Sequence, residues 1–201
     1  TTVTELPPPP RLYAEPLAIG PVQLATRFTL APLAGYTNYP FRRSIREIGG
    51  AGLCTTDLVN ARAILEKSKK TLELLVTGPD DRPLSVQIFG ANPDEMAGAA
   101  RWLEDYGATV IDINMGCPVR IVVKTGGGSA MMCDTTGSTV RLVETVVNAT
   151  RLPVTVKMRL GWDDTSLSAP YFARCAAARC GRRSPPSRST AEPGPRVLRG
   201  R

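Results

Sequence analysis

The stretch DINMGCPVRIVVKTGGGSA, residues 112–130, sets a thiol between a glycine and a proline at the end of an apolar run, and three consecutive glycines follow. Cys117 could serve as a metal ligand, a nucleophile, a proton donor or a small buried side chain. The chain contains no histidine, which excludes His-based triads and most catalytic zinc sites. It also removes the base that a nucleophilic cysteine needs. An ordinary thiol keeps its proton at neutral pH and can act as an acid without a base partner. Gly116 and Pro118 impose an unusual backbone around Cys117, and Asn114 stands beside it. Proton donation is therefore the chemistry read for Cys117, whereas Cys54 and Cys133 read as apolar filler.

Three other segments, and the glycine run that ends this one, carry residues suited to chemistry. Lys157 interrupts the apolar strand pattern VTVKMRLG, so it faces either a salt-bridge partner or an anionic or electron-rich ligand. Gln87, in SVQIFG, brings donors and an acceptor to a similar place, which suits the edge of a heterocycle. APLAG offers a flat apolar wall for an aromatic ring. KTGGGSA lacks the G-x-x-x-x-G-K-[ST] spacing of a nucleotide-binding loop, leaving a phosphate cradle or a flexible lid as its readings.

These residues must be positioned by elements that the hydrophobic periodicity outlines. Strands are expected over 28–35, 52–59, 83–90, 109–116 and 152–161. Helices are expected to begin at Pro40, over 60–75, after Asn92 and over 137–149. Phe41, Ile45 and Ile48 fall on one face of the first helix, and Ile64, Leu65 and Leu72 lie along the second. Met96, Ala99, Ala100, Leu103 and Tyr106 form the stripe of the third, and Val140, Val143 and Val147 that of the fourth. Residues 17–28 should form a short hairpin covering the sheet's N-terminal end. Strand alternating with helix over short connections means a parallel sheet with helical crossovers. No G-x-G-x-x-G follows the first strand, which disfavours a dinucleotide fold. Ala34, Asp57, Gln87, Asn114, Cys117, Lys157 and Arg159 all fall at or just past strand ends, as in a (β/α)₈ barrel. The expected fold is α/β: a partial (β/α)₈ TIM barrel of about five of its eight strands, with the helices outside.

Composition bounds the rest. The 201 residues are 42% apolar, enough for one domain with a core. No run of 18 apolar residues occurs, so no membrane span is expected. No secretory leader is read at the start, and five scattered cysteines without C-x-x-C spacing suggest reduced thiols in a cytoplasm. The net charge is +7, but residues 175–201 carry seven arginines against one glutamate, so nearly all of it sits there. Residues 1–16 read as a disordered proline-rich start, 17–174 as the barrel portion and 175–201 as a basic low-complexity tail outside the fold.

The segments LAPLAGYTNYPFR, SVQIFG, DINMGCPVRIVVKTGGGSAMM and VTVKMRLGWDD, taken in order, resemble the bacterial FMN-dependent tRNA-dihydrouridine synthases, from residue 17 to about residue 173. The resemblance implies FMN across the barrel mouth, with Pro32, Leu33 and Ala34 against the ring. Gln87 would bond the ring edge and Lys157 the electron-rich N1/O2 side. It implies NADPH as reductant and a flipped-out tRNA uridine as substrate, with hydride delivered to C6. Cys117 would protonate C5, and Asn114 and Arg159 would hold the base by its polar edge. It implies no metal, no membrane, and a monomer in the complete family form.

The family pattern also holds an HGR-like sixth strand and glycine-rich NGD and GRG segments that grip the flavin phosphate, and these have no counterpart here. After SAPYFARC the sequence is rich in Ala, Arg, Pro, Ser and Gly without periodicity, as an out-of-frame reading of a GC-rich gene would be. Two further readings therefore stand beside the enzyme: an inactive truncated or frameshifted fragment, and a basic-tailed RNA-binding remnant without catalysis. A flavin barrel acting on free pyrimidines fits APLAGYTN and KTGGGSA less well.

Overall fold

The computed structural model describes residues 16–163 and 165–180. The proline-rich start, apart from Pro16, and the basic segment beyond residue 180 lie outside the described residues. The chain begins with a hairpin of β1 (Ala18–Ile19) and β2 (Val22–Gln23), then enters a parallel sheet at β3 (Thr29–Leu30). There follow α1 (Tyr39–Ile48), β4 (Leu53–Thr55), β5 (Val59–Asn60), α2 (Ala61–Leu65), α3 (Lys69–Leu74), β6 (Leu84–Phe89) and α4 (Pro93–Tyr106). The remaining elements are β7 (Val110–Met115), α5 (Arg120–Val123), a 3₁₀ segment (Gly128–Cys133), α6 (Ser138–Ala149), β8 (Val154–Met158) and α7 (Ala169–Cys180). The sheet order is β3-β4-β6-β7-β8, all parallel, with β5 also pairing β6. It is the curled half-barrel expected from the periodicity, with helices on the outer face.

Register gives the sheet two chemically opposite faces. Paired residues in parallel strands project to the same side, and successive residues alternate. Leu84, Val86, Ile88, Ile111, Ile113 and Met115 point outward and are essentially buried against the helices. Full burial of each such side chain is worth about 1.5–3 kcal/mol. The alternate residues point to the concave face and are mostly polar: Thr55, Ser85, Gln87, Asp112, Asn114, Thr155 and Lys157. The hairpin closes the N-terminal end of this face. Leu24 is buried with Leu53 and Val110, backed by Leu17, Ile19 and Val22, so the apolar plug sits at the end opposite the polar residues.

Helix α4 follows its pattern closely. Asn92 caps it, accepting from Asp94 N and Glu95 N through Oδ1, Pro93 opens it, and Gly107 ends it with φ +95°. All five expected stripe residues are buried. Val140, Val143 and Val147 of α6 are buried likewise.

Helix α1 does not bury its apolar face evenly. Ile48 is 82% exposed, while Arg42 is fully buried. Arg42 Nε and Nη2 donate to Asp81 Oδ2 at 2.9 and 2.6 Å, and its remaining donors reach the carbonyls of Thr37 and Val76. Arg46 Nε and Thr77 Oγ1 also donate to the Asp81 carboxylate. The loop before β6 thus draws an arginine inward that helical periodicity alone assigns to solvent. The single helix expected over 60–75 is two, because Lys67 takes a left-handed φ of 53° between α2 and α3. The expected strand over 52–59 is likewise interrupted at residues 56–58, where Asp57 sits.

Helix α7 runs through Cys180, so the boundary drawn at residue 175 falls inside a helix. Phe172 is buried in the core and Cys175 packs against it. Among the described residues no helix is long and apolar enough to cross a membrane.

Removing one member of the buried ion pair leaves the other charge without its partner, a change that typically costs about 3–5 kcal/mol. Asp81→Ala should lower the urea midpoint accordingly, whereas Ile48→Ser, on the exposed end of the same helix, should leave it nearly unchanged.

Candidate active site

The C-terminal edge of the sheet gathers the residues singled out in the sequence. On the concave face, Gln87, Asp112 and Thr155 lie side by side in register, and Asn114 pairs with Lys157 one step nearer the mouth. Gln87 Nε2 donates to Asp112 Oδ2 at 2.6 Å, and Thr155 Oγ1 donates to Asp112 Oδ1 at 2.6 Å. Asn114 Nδ2 donates to Gln87 Oε1 at 2.8 Å. Asn114 Oδ1 in turn accepts from the backbone N–H groups of Gly116 (3.2 Å) and Cys117 (2.9 Å). A continuous line of hydrogen bonds thus runs from β8 across the sheet to the loop carrying Cys117, whose side chain is half-buried.

Gln87, Asp112 and Asn114 are buried, while Lys157 and Arg159 are exposed. Arg159 passes beside Gly116, where an added Cβ would stand 3.6 Å from its Cγ. The wall segment follows β3: Pro32 is half-buried, and Leu33 and Ala34 are exposed. It is held from the neighbouring loop, because Gly35 N donates to Asp57 Oδ2 at 2.5 Å and Leu58 N donates to Asp57 Oδ1 at 2.7 Å. Thr37 closes the same turn by bonding Leu33 in both directions. Its carbonyl accepts from the buried Arg42, which joins the wall to the ion pair beneath it.

The glycine run proves to be a packing device. Gly127, Gly128 and Ser129 are buried, and Ser129 N donates to the Cys117 carbonyl at 3.0 Å. An added Cβ on Gly128, which has φ +60°, would lie 2.5 Å from Cys117 O and 2.7 Å from Val122 Cγ1. One on Gly126 would meet Ala91 at 3.0 Å, and one on Gly127 would meet the Gly90 backbone at 3.4 Å. The loop therefore wedges between the Cys117 turn and the turn after β6.

Asp112 and Thr155 are the site residues that sequence reasoning passed over. The signal was available: residue 112 stands two before Asn114 in a strand, hence on the same face. Burial pushes the Asp112 carboxyl above the ordinary range, against the downward pull of Thr155, Gln87 and the charge of Lys157. Among the described residues, no cluster of three His, Cys, Asp or Glu side chains could hold a metal ion.

A family model for dihydrouridine synthase matches residues 29–182, spanning every element of this site. The chain belongs to the dihydrouridine synthase family. It is 40% identical over 161 residues to the probable tRNA-dihydrouridine synthase of Rickettsia bellii, an overlap of 80% of this chain and 49% of that protein. It is 40% identical over 168 residues to the probable tRNA-dihydrouridine synthase 1 of Synechocystis, covering 83% and 46%. It is 39% identical over 160 residues to the tRNA-dihydrouridine synthase B of Xanthomonas axonopodis pv. citri, covering 80% and 48%. The chain spans about half the length of the curated relatives it matches.

In this synthase-family chain, Gly128→Ala combines a left-handed backbone with a clash against Cys117 O. It should destabilise by about 1–3 kcal/mol or more, with faster alkylation of Cys117 in peptide mass spectrometry.

Asp112 gives the fold a dependence on pH. A raised native pKa means the folded chain binds that proton more tightly than the unfolded chain. The stabilising contribution is then full below the ordinary carboxylate range and is lost as pH rises through the native value. Asp112→Asn removes that loss. Relative to the parent chain, the variant should gain stability as pH rises above the ordinary carboxylate range. Urea midpoints at each pH check this, and a difference that does not change with pH would contradict it.

Proposed function

We propose that this chain carries the flavin-facing and proton-donating walls of a tRNA-dihydrouridine synthase site, which reduces the C5=C6 bond of a tRNA uridine with FMN and NADPH. The observation that carries the reading is the concave-face line from Asp112 through Gln87 and Asn114 to Cys117, at the C-terminal edge of a family barrel. That edge is where (β/α)₈ enzymes hold their ligands.

The residues present suit an FMN. Pro32, Leu33 and Ala34 offer an apolar wall left partly open to solvent, as a ring placed against it requires. Lys157 projects an exposed cation from the concave face, matching the electron-rich N1/O2 side of a flavin. Gln87 directs one amide hydrogen to Asp112, and its second hydrogen is the one suited to a ring edge. When bound, FMN supplies the hydride for C6 of the uracil, after reduction by NADPH.

The protein's own part is orientation and a proton. Cys117 holds the proton for C5 at its Sγ, presented by a turn whose two N–H groups are tied to Asn114. Arg159, exposed beside that turn, offers donors to a uracil carbonyl, and Asn114 has one further amide hydrogen to give the base. Extrusion of the base from its stack suits a site open at the strand ends. The cytoplasm is the compartment in which this reading places the chain.

That the chain spans about half of its relatives favours a second reading, in which it holds these walls without turning over by itself. One experiment separates the two. The purified chain is given FMN, NADPH and unmodified tRNA under reducing conditions; flavin absorbance and dihydrouridine by mass spectrometry are followed. For the enzyme, Cys117→Ala should keep flavin binding and reduction but slow uridine reduction by about 10²–10⁴-fold. Parent chain that takes up no flavin and makes no dihydrouridine would establish the second reading. Unchanged turnover in Cys117→Ala would refute the role given to the thiol.

A further inference from the structure

We propose that Asp112 is a positioning residue, an acceptor-only anchor that sets the direction of the Gln87 and Asn114 amides and so holds the Cys117 turn. A carboxylate has no donor, so Gln87 can meet it only with Nε2. Its Oε1 then faces Asn114, which must answer with Nδ2. That leaves Asn114 Oδ1 for the turn, where Gly116 N and Cys117 N both require an acceptor.

The two ends of the line demand the same polarity: an acceptor-only group in the sheet and two backbone donors in the turn. Flipping either amide would set oxygen against oxygen at one end and N–H against N–H at the other. Thr155 Oγ1 donates to the second oxygen of Asp112 and keeps the carboxylate turned toward Gln87. All three linking side chains are buried, so water is poorly placed to replace a lost member. A buried carboxylate is a costly choice for this position, and the fixed direction it imposes on two amides is what it supplies in return.

The inference rests on reading Cys117 as the proton donor, but its test requires no flavin, tRNA or turnover. Failure of the test would therefore leave that reading standing, and the converse also holds. The polarity can be rewritten without removing the line. Above the pH at which the facing carboxyl pair gives up its shared proton, where the exchange is measured, Gln87→Glu alone sets carboxylate against carboxylate and breaks it. Asp112→Asn alone keeps it, by turning the new amide oxygen to Gln87 and the new amide nitrogen to the Thr155 hydroxyl, which can accept. The double variant restores it with the carboxylate moved to residue 87. The amide introduced at residue 112 donates to that carboxylate, whose other oxygen accepts from Asn114.

Amide hydrogen exchange at Gly116 and Cys117 reads the result, with Ile88 and Ile113 as reporters of the intact sheet. Exchange at residues 116 and 117 should quicken about tenfold or more in Gln87→Glu, the loss of roughly one hydrogen bond. It should stay within about twofold of the parent in Asp112→Asn and in the double variant. Alkylation of Cys117, followed by peptide mass spectrometry, should move in the same order. Parental exchange in Gln87→Glu, or a double variant no slower than that single one, would overturn the proposal. Should Gln87→Glu fail to fold, Thr155→Val takes its place. It frees the carboxylate to turn and should speed exchange at residue 117 severalfold while Ile113 is unmoved; no change at residue 117 would overturn the proposal equally.

Discussion

Parallel pairing of β6, β7 and β8 sets Gln87 beside Asp112 beside Thr155, and the polar contacts of the concave face depend on that alignment. A slip of one residue in either pairing would turn these side chains toward the helices and bring Val86, Ile111 and Ile113 to the mouth. The register is held by burial on the opposite face, where those residues pack against α4 and α6. The energy that selects the alignment is therefore apolar and outside, while its consequence is polar and inside. Separating the two lets a buried carboxylate persist without carrying the stability of the sheet.

The two ends of the sheet are closed by different means. At the N-terminal end, the hairpin seats Leu24 on Leu53 and Val110 and closes the face with apolar contacts. At the C-terminal end, loops are tied to one another by specific hydrogen bonds. Asp57 pins the wall segment after β3, Asn114 pins the Cys117 turn, and Ser129 pins that turn from the other side. The glycine run adds close approach: an added Cβ on Gly128 would meet Cys117 O and one on Gly126 would meet Ala91, and both positions are left-handed, whereas one on Gly127 would stand at ordinary contact distance from Gly90. Close packing and a left-handed backbone account for the glycines at 126 and 128.

Beneath the mouth, the Arg42–Asp81 pair joins α1 to the segment entering β6. Its cost in desolvation is offset by near-complete hydrogen bonding of both partners. Because Arg42 also bonds the Thr37 carbonyl, this pair reaches the turn that bears Leu33. The wall expected to face a flavin ring is thereby anchored through two buried charges as well as through Asp57.

Sequence alone determined what periodicity and capping chemistry can determine. Strand–helix alternation, the Asn92–Pro93 start and Gly107 stop of α4, the inward stripes of α4 and α6, the closing hairpin and the gathering of Gln87, Asn114, Cys117, Lys157 and Arg159 at strand ends are all local patterns. Tertiary structure decided what depends on a partner far along the chain. Ile48 faces solvent and Arg42 the interior because Asp81, some forty residues away, offers a charge where the helix alone offers none. The helix over 60–75 breaks at Lys67, whose left-handed backbone no composition rule announced. Above all, a lone aspartate in DINMG becomes the centre of the concave-face hydrogen-bond line only when β6 and β8 bring Gln87 and Thr155 to its two oxygens. A strand's own period says which face a side chain takes; only the pairing of strands says what it meets there.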